Sequence, residues 1–227
     1  MSLLEAAIGL LSPPECVGCG LEGSALCDHC QSSNILPFGL RCWRCNSLSN
    51  QSRTCPSCRK VGSPSHVWIT TTYEGLARDL VRKYKFGHLR AGALPLAEMM
   101  GQTCLGANLN INNHLVVAVP TATSRVRTRG FDHSLLLAKQ ISRRLGLKSA
   151  AALGRLGQDS QIGTGRDQRL KQSAGQYFVR SPWQVRGQSI LLIDDVITTG
   201  GTMLSAAYEL RQAGAIRVDA LIFAKRL

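Results

Sequence analysis

The stretch ILLIDDVITTGGT, Ile190–Thr202, decides the fold. An apolar run delivers two adjacent carboxylates, Asp194 and Asp195, and then the turn Thr198-Thr199-Gly200-Gly201-Thr202. A short, uninterrupted apolar run is what a strand buried on both faces of a parallel sheet requires. Open sheets of that kind bind ligands beyond the carboxyl ends of their strands, which is where the two acids fall. Vicinal ribose hydroxyls are donors, and paired carboxylates accept from them. The turn presents backbone N–H groups and hydroxyls at the start of a predicted helix, a cradle suited to a monophosphate. Gly200 and Gly201 permit the turn geometry and a close approach of the phosphate.

Outward from this stretch the pattern alternates. Strands are predicted over 66–73, 114–119, 188–193 and 216–224, and helices over 75–86, 93–105, 134–145 and 201–213. That alternation implies an α/β fold with a mostly parallel sheet and helices on both faces. Residues 157–175 are polar and Gly-rich and read as a long loop. Composition changes near residue 60, with VGSPS (61–65) as a linker. The division expected is 1–60, a cysteine-rich module with a short N-terminal helix, and 66–227, the α/β domain.

Eight of the nine cysteines form four CxxC pairs: Cys16/Cys19, Cys27/Cys30, Cys42/Cys45 and Cys55/Cys58. Two residues between cysteines let a tight knuckle aim both sulfurs at one ion, and two knuckles complete a tetrahedron. Eight thiolates suit two structural Zn²⁺ ions, with sequential and interleaved pairings both open. The segment is poor in apolar residues, so metal should supply its folding energy. A disulfide scaffold would need an oxidising compartment, and a dithiol redox site would not need four pairs. Cys104 lies on an apolar helix face and reads as core.

Net charge is +13, from 27 Lys and Arg against 14 Asp and Glu. The first sixty residues hold five of the basic and four of the acidic groups, so the excess sits in the remainder. This favours polyanionic partners: phosphorylated small molecules, nucleic acid or an acidic membrane surface. No stretch is long and apolar enough for a transmembrane segment. Residues 2–11 read as a short amphipathic helix stopped by Pro13 and Pro14, not as an export signal, so a cytoplasmic place is expected, with a peripheral one at the inner membrane face left open.

The segment Ile190–Thr202 resembles the motif by which type I phosphoribosyltransferases bind 5-phosphoribosyl 1-pyrophosphate (PRPP). The resemblance implies that Asp194 and Asp195 hold the ribose hydroxyls and that Thr198, Thr199, Gly200, Gly201 and Thr202 hold the 5′-phosphate. The other half of such a site should follow the strand ending at Val119, where VAVPTATSRVRTRGFDH places Arg125, Arg127 and Arg129 in a loop before a helix. Arginines bind the oxygens of a pyrophosphate in bidentate fashion, and Mg²⁺ would bridge them, held largely by ligand and water. Lys85 is a candidate for the same pyrophosphate or a surface lysine. Arg169 lies in the polar loop.

Almost the whole chain resembles the ComF family of competence-related proteins, which join a double zinc ribbon to a type I phosphoribosyltransferase domain. The resemblance rests on the CxxC series, YKFG (84–87), the 117–133 stretch and IDDVITTGGT. Asp132 and His133 stand where the family has Asn-Gln, and Ser173 stands where it has Asn. Two functions follow. One is an enzyme of DNA uptake or natural transformation that transfers phosphoribosyl from PRPP, with release of pyrophosphate, to an acceptor the sequence does not name. It shows no general base, and His133 reads as an exposed helix-start residue. The other is a non-catalytic PRPP-sensing accessory protein that binds single-stranded DNA or proteins of the DNA-uptake machinery. Its candidate surface is the eleven basic residues from Arg125 to Lys171, with Trp43 and Trp68 as stacking aromatics.

Overall fold

The chain is seen in a computed structural model that describes residues 13–87, 89–107, 111–156 and 176–227, with Arg129 described by its backbone alone. The helix expected over 2–11 and the loop expected over 157–175, with Arg166, Arg169, Lys171 and Ser173, lie outside the described residues.

The strands are β1 (Val67–Thr72), β2 (His114–Ala118), β3 (Ser149–Ala150), β4 (Leu153–Arg155), β5 (Tyr177–Val179), β6 (Ser189–Ile197) and β7 (Arg217–Lys225). Five of them form one sheet in the order β1-β7-β6-β2-β3, with every neighbouring pair parallel. β6 lies at its centre, and Ile190, Leu191, Leu192 and Ile193 have no exposed surface. Both faces of the sheet are therefore covered, as the continuous apolar run required.

One face carries the helices α2 (Gly75–Phe86), α3 (Ala93–Gly106) and α5 (His133–Leu145), and their buried side chains share one cluster. In α2 the buried positions Ala77, Leu80, Val81 and Tyr84 follow the i, i+3, i+4, i+7 spacing of an amphipathic helix. The other face carries α6 (Pro182–Val185) and α7 (Gly201–Gln212). Between β2 and α5 the expected arginine loop is instead a short helix, α4 (Thr123–Arg129), ended by Gly130 at φ 74°. β6 also runs four residues past its predicted end, so Asp194 and Asp195 lie inside a paired strand. The antiparallel pair β4–β5 was not legible, because three-residue strands leave no periodic signal.

The cysteine-rich residues, including α1 (Asp28–Asn34), embrace the edge strand β1. Cys16, Leu26 and Cys30 pack into the α2 side, whereas Phe38 and Trp43 pack into the α7 side. The connection between them crosses β1 itself: Phe38 N–H donates to Thr70 O at 3.0 Å, and the Thr71 hydroxyl donates to Leu36 O at 2.7 Å. An open strand edge is thereby covered.

At the amino end of the sheet, Asp219 is fully buried and gathers donors from three places. It accepts from His66 N–H at 3.1 Å, pairs with the His66 and His114 rings at 3.1 and 3.0 Å, and meets Arg217 Nε at 2.6 Å. Burial works to raise its carboxyl, but His114, His66 and Arg217 outweigh that and hold it at about 2. The cluster joins β1, β2 and β7 at the end remote from the paired acids. Asp219→Asn should cost about 3 kcal/mol in urea unfolding near neutral pH. A carboxyl held below its unfolded value of ~3.9 contributes fully above about pH 4 and loses its contribution as pH falls toward 2, so wild type and variant should converge there.

Candidate functional site

β6 and α7 meet at the carboxyl end of the sheet. Successive residues of a strand face opposite sides, and the two acids are treated in opposite ways. Asp195 is buried, with Lys85 Nζ 2.7 Å from Oδ1 and His133 Nε2 3.1 Å from Oδ2. Burial works to raise its carboxyl, but Lys85 and then His133 outweigh that and hold it at about 2. Asp194 is half-buried, and its Oδ1 accepts from the Asp195 N–H at 2.9 Å. Burial, and then the charge of Asp195 beside it, push the Asp194 carboxyl up to about 7, against the pull of Lys85 and Arg155.

Lys85 is thus an inward-reaching residue from the last turn of α2, not a surface lysine. His133 is likewise buried, which corrects the expectation of an exposed helix-start histidine. Its carbonyl accepts the Tyr84 hydroxyl at 2.6 Å, and the two rings meet edge-on. Asp132 caps α5 by accepting from Leu135 N–H at 3.1 Å and also accepts the Thr121 hydroxyl. The Asp-His pair therefore seats α5 and delivers a ring to Asp195.

Past Asp195 the strand opens into the turn. Thr198, Thr199, Gly201 and Thr202 are exposed, and Gly200 is buried. Gly200 is the residue before α7, at φ 78°, and its carbonyl accepts Leu204 N–H at 2.9 Å. A Cβ at Gly201 would meet only Thr199 Oγ1, at 3.9 Å, so open space lies over the helix start. The turn thus presents the free first-turn N–H groups of a twelve-residue helix and three threonine side chains to solvent. Arg125 and Arg127 are exposed on α4, two residues apart and so on different sides of the helix; Arg125 and Arg129 hold i and i+4 positions. Arg155 lies over the Tyr177 ring, 5.7 Å from its centroid.

The eight CxxC cysteines gather as two groups, Cys16, Cys19, Cys27 and Cys30, and Cys42, Cys45, Cys55 and Cys58, each with its sulfurs within 4.8 Å of one another. The pairing is sequential. Sγ–Sγ separations of 3.7 Å recur at Cys16–Cys27, Cys19–Cys27 and Cys45–Cys55. A tetrahedron with Zn–S of ~2.3 Å has edges of about 3.8 Å, so the donors and their spacing suit zinc. Cys104 is buried, and burial pushes its thiol up to about 12, in keeping with a core residue.

Residues 132–227 match the family model of the phosphoribosyl transferase domain. The chain is 26% identical over 220 residues to the DNA utilization protein YhgH of Escherichia coli (strain K12), covering 81% of this chain and 91% of that one. Two four-cysteine groups thus stand ahead of a stretch that matches a phosphoribosyl transferase domain. This is the arrangement that the ComF resemblance of the sequence implies. The chain is also 23% identical over 175 residues to a hypoxanthine/guanine phosphoribosyltransferase of Ferroglobus placidus, covering 77% of each. Two solved structures are more distant. One is an allosteric regulatory enzyme of purine biosynthesis (TM-score 0.45, 18% identical), covering 62% of this chain and 29% of that one. The other is a glutamine PRPP amidotransferase from B. subtilis (TM-score 0.46, 19% identical), covering 63% and 30%.

Several expectations from the sequence change. Trp43 and Trp68 are buried and cannot stack on bases; among the described residues the exposed Phe and Trp side chains are Phe86, Phe178 and Trp183. Arg144 pairs with Glu98 at 3.2 Å, and Arg155 belongs to the acid site, so the basic run is not one continuous patch. Tyr84 and Tyr177 go unnoticed in the sequence as site residues, His133 reads there as exposed, and Arg155 counts only in the basic run. A cleft of about 530 Å³, lined among others by Gln31, Gln51, Trp68 and Gln102, has no charged residue in its lining among the described residues and does not suit a polyanion.

Purified chain should carry about two zinc ions by metal analysis. Cys55→Ser/Cys58→Ser should lose one and keep the other, since the groups share no ligand. Loss of both, or retention of both, would contradict two sequential sites.

Proposed function

We propose that the chain binds PRPP with Mg²⁺ at the end of β6 and transfers its phosphoribosyl group to an acceptor, releasing pyrophosphate. One observation carries this: a half-buried carboxylate, Asp194, stands beside an open helix start flanked by three threonines, at the carboxyl end of the central parallel strand. In this reading residues 1–60 are the zinc module and 66–227 the transferase unit. Thr198, Thr199, Gly201 and Thr202 hold the 5′-phosphate, with Gly200 shaping the turn. Asp194 accepts from the ribose hydroxyls. Asp195 joins it only by giving up Lys85 or His133, and a released Lys85 has the charge to meet the pyrophosphate. Arg125, Arg127 and Arg129 supply further donors to that leaving group. Mg²⁺, when bound with the ligand, neutralises charge on its oxygens. Transfer breaks the bond from C1′ to the pyrophosphate oxygen and forms one from C1′ to the acceptor, which gives up its proton. Positioning and charge stabilisation account for the rate.

Titration calorimetry tests the reading. Gly201→Ala should fold as wild type, because open space receives the Cβ, yet lose PRPP affinity at least tenfold because the methyl fills the cradle. An ionised Asp194 accepts more strongly from hydroxyls than a protonated one, so wild-type affinity should rise severalfold from pH 6 to pH 8 with proton release, beyond any rise seen in Asp194→Asn. Absence of PRPP binding to zinc-loaded wild type would overturn the proposal.

A second reading, an accessory that senses PRPP and contacts single-stranded DNA or proteins of DNA uptake, is favoured by one surface. Arg180, Trp183 and Arg186 are exposed within seven residues, a stacking ring between two cations. The Escherichia coli relative is named for DNA utilization. Single-stranded oligonucleotide binding should be detectable at low salt, fall steeply with added salt, and weaken severalfold in Trp183→Ala. No binding at low salt would remove this reading. Among the described residues no helix is long and apolar enough to cross a membrane.

A further inference from the structure

Gly200 was expected to be glycine so that phosphate could come close. What comes close is Trp43. A Cβ built on Gly200 falls 2.0 Å from Trp43 Cζ3 and 2.7 Å from Cη2, nearer than any side chain tolerates. The indole stands in the knuckle between Cys42 and Cys45, is 1% exposed, and is held by a hydrogen bond from its Nε1 to Thr54 Oγ1 at 3.0 Å. Thr54 is itself fixed: its hydroxyl donates to Pro64 O at 2.8 Å and its N–H to Ser65 O at 3.0 Å, one residue before Cys55. The ring therefore cannot leave Gly200 without disturbing the second four-cysteine group.

That group is anchored around the same turn at further points. Lys225, paired in register with Ile197 at the end of β6, donates to Asn46 Oδ1 between Cys45 and Ser47. On α7, the helix that the turn begins, Tyr208 lies against Gly62 and Arg211 donates to Ser65 Oγ at 3.2 Å. The turn is thus exposed on its ligand side and walled by the metal module on the other.

We infer that Trp43 is a positioning residue for the turn 198–201, through which metal occupancy of the Cys42–Cys58 group sets the affinity of the turn for a sugar 5-phosphate. The ligand half of this statement rests on the PRPP-site reading; the positioning half does not. A loop that must offer its N–H groups in one arrangement binds weakly when it samples others, and a ring packed on its glycine removes those alternatives. Coupling of this kind is reciprocal: ligand in the turn must also tighten the metal site.

Backbone hydrogen exchange over residues 198–204 decides the positioning half, in wild type, Trp43→Ala and Trp43→Phe. Trp43→Ala should raise exchange there about tenfold while residues 190–196 stay as in wild type. Trp43→Phe, which keeps a ring but not the bond to Thr54, should recover most of the protection. In parallel, titration with ribose 5-phosphate should show about tenfold weaker binding in Trp43→Ala, with inorganic pyrophosphate binding unchanged. If Trp43→Ala loses its second zinc or fails to fold, Trp43→Phe and wild type carry the test. Saturating ribose 5-phosphate should then slow the loss of one of the two zinc ions to a chelator and leave the other unaffected. Wild-type exchange at 198–204 in a folded Trp43→Ala protein, or chelation rates indifferent to a ligand that binds, would overturn the inference. Wild type that binds no ribose 5-phosphate, with exchange raised in Trp43→Ala, would instead remove the ligand reading and keep Trp43 as the residue that positions the turn.

Discussion

The parallel pairing of β6 with β7 on one side and β2 on the other is the constraint from which the rest of the molecule follows. A central strand buried on both faces must be apolar until it leaves the sheet, and Ile190–Ile193 meet that demand. Its carboxyl end is then the first place where polar side chains can stand with support beneath them. Asp194 and Asp195 occupy that place while still hydrogen-bonded into the strand, so their positions are set by backbone register, not by loop conformation. β7, in register with β6 out to Lys225, brings the end of the chain to the same edge and provides an anchor for the second cysteine group.

Period-two alternation gives the neighbouring acids different chemistry. Asp195 turns toward α2 and α5, where Lys85 and His133 keep it ionised, and Asp194 turns toward β4 and β5, where burial and its neighbour's charge favour the protonated form. An ionised and a readily protonated carboxyl one residue apart can respond differently to an arriving polyhydroxylated anion. The internal ion pair of Asp195 with Lys85 holds a cation inside the site, which in the proposed reading is exchanged for ligand charge. The adjoining helix start adds its own dipole at the open side of Gly201.

Much of this was legible in the sequence, for physical reasons. The apolar run, the acids and the TTGGT turn carry local signals, and α2 was read at its observed limits because its periodic face and its glycine boundaries agree. CxxC spacing marked the eight cysteines, although only the structure shows that pairing is sequential. What escaped depends on contacts between residues far apart in the chain. Nothing near His133 indicates that it meets Asp195, and nothing near Trp43 indicates that it lies on Gly200. The alternation of the two acids could have been inferred, had the strand been read to Ile197 instead of Ile193. Helix α4 went unread because seven residues rich in arginine and threonine give no apolar stripe.

The most direct test of the central claim is a crystal structure of the zinc-loaded chain with PRPP and Mg²⁺. The account predicts the 5′-phosphate on the N–H groups at 199–202, the ribose hydroxyls on Asp194, and Lys85 drawn away from Asp195 toward the pyrophosphate. Ligand seated elsewhere, with the turn empty and the Lys85–Asp195 pair intact, would contradict it.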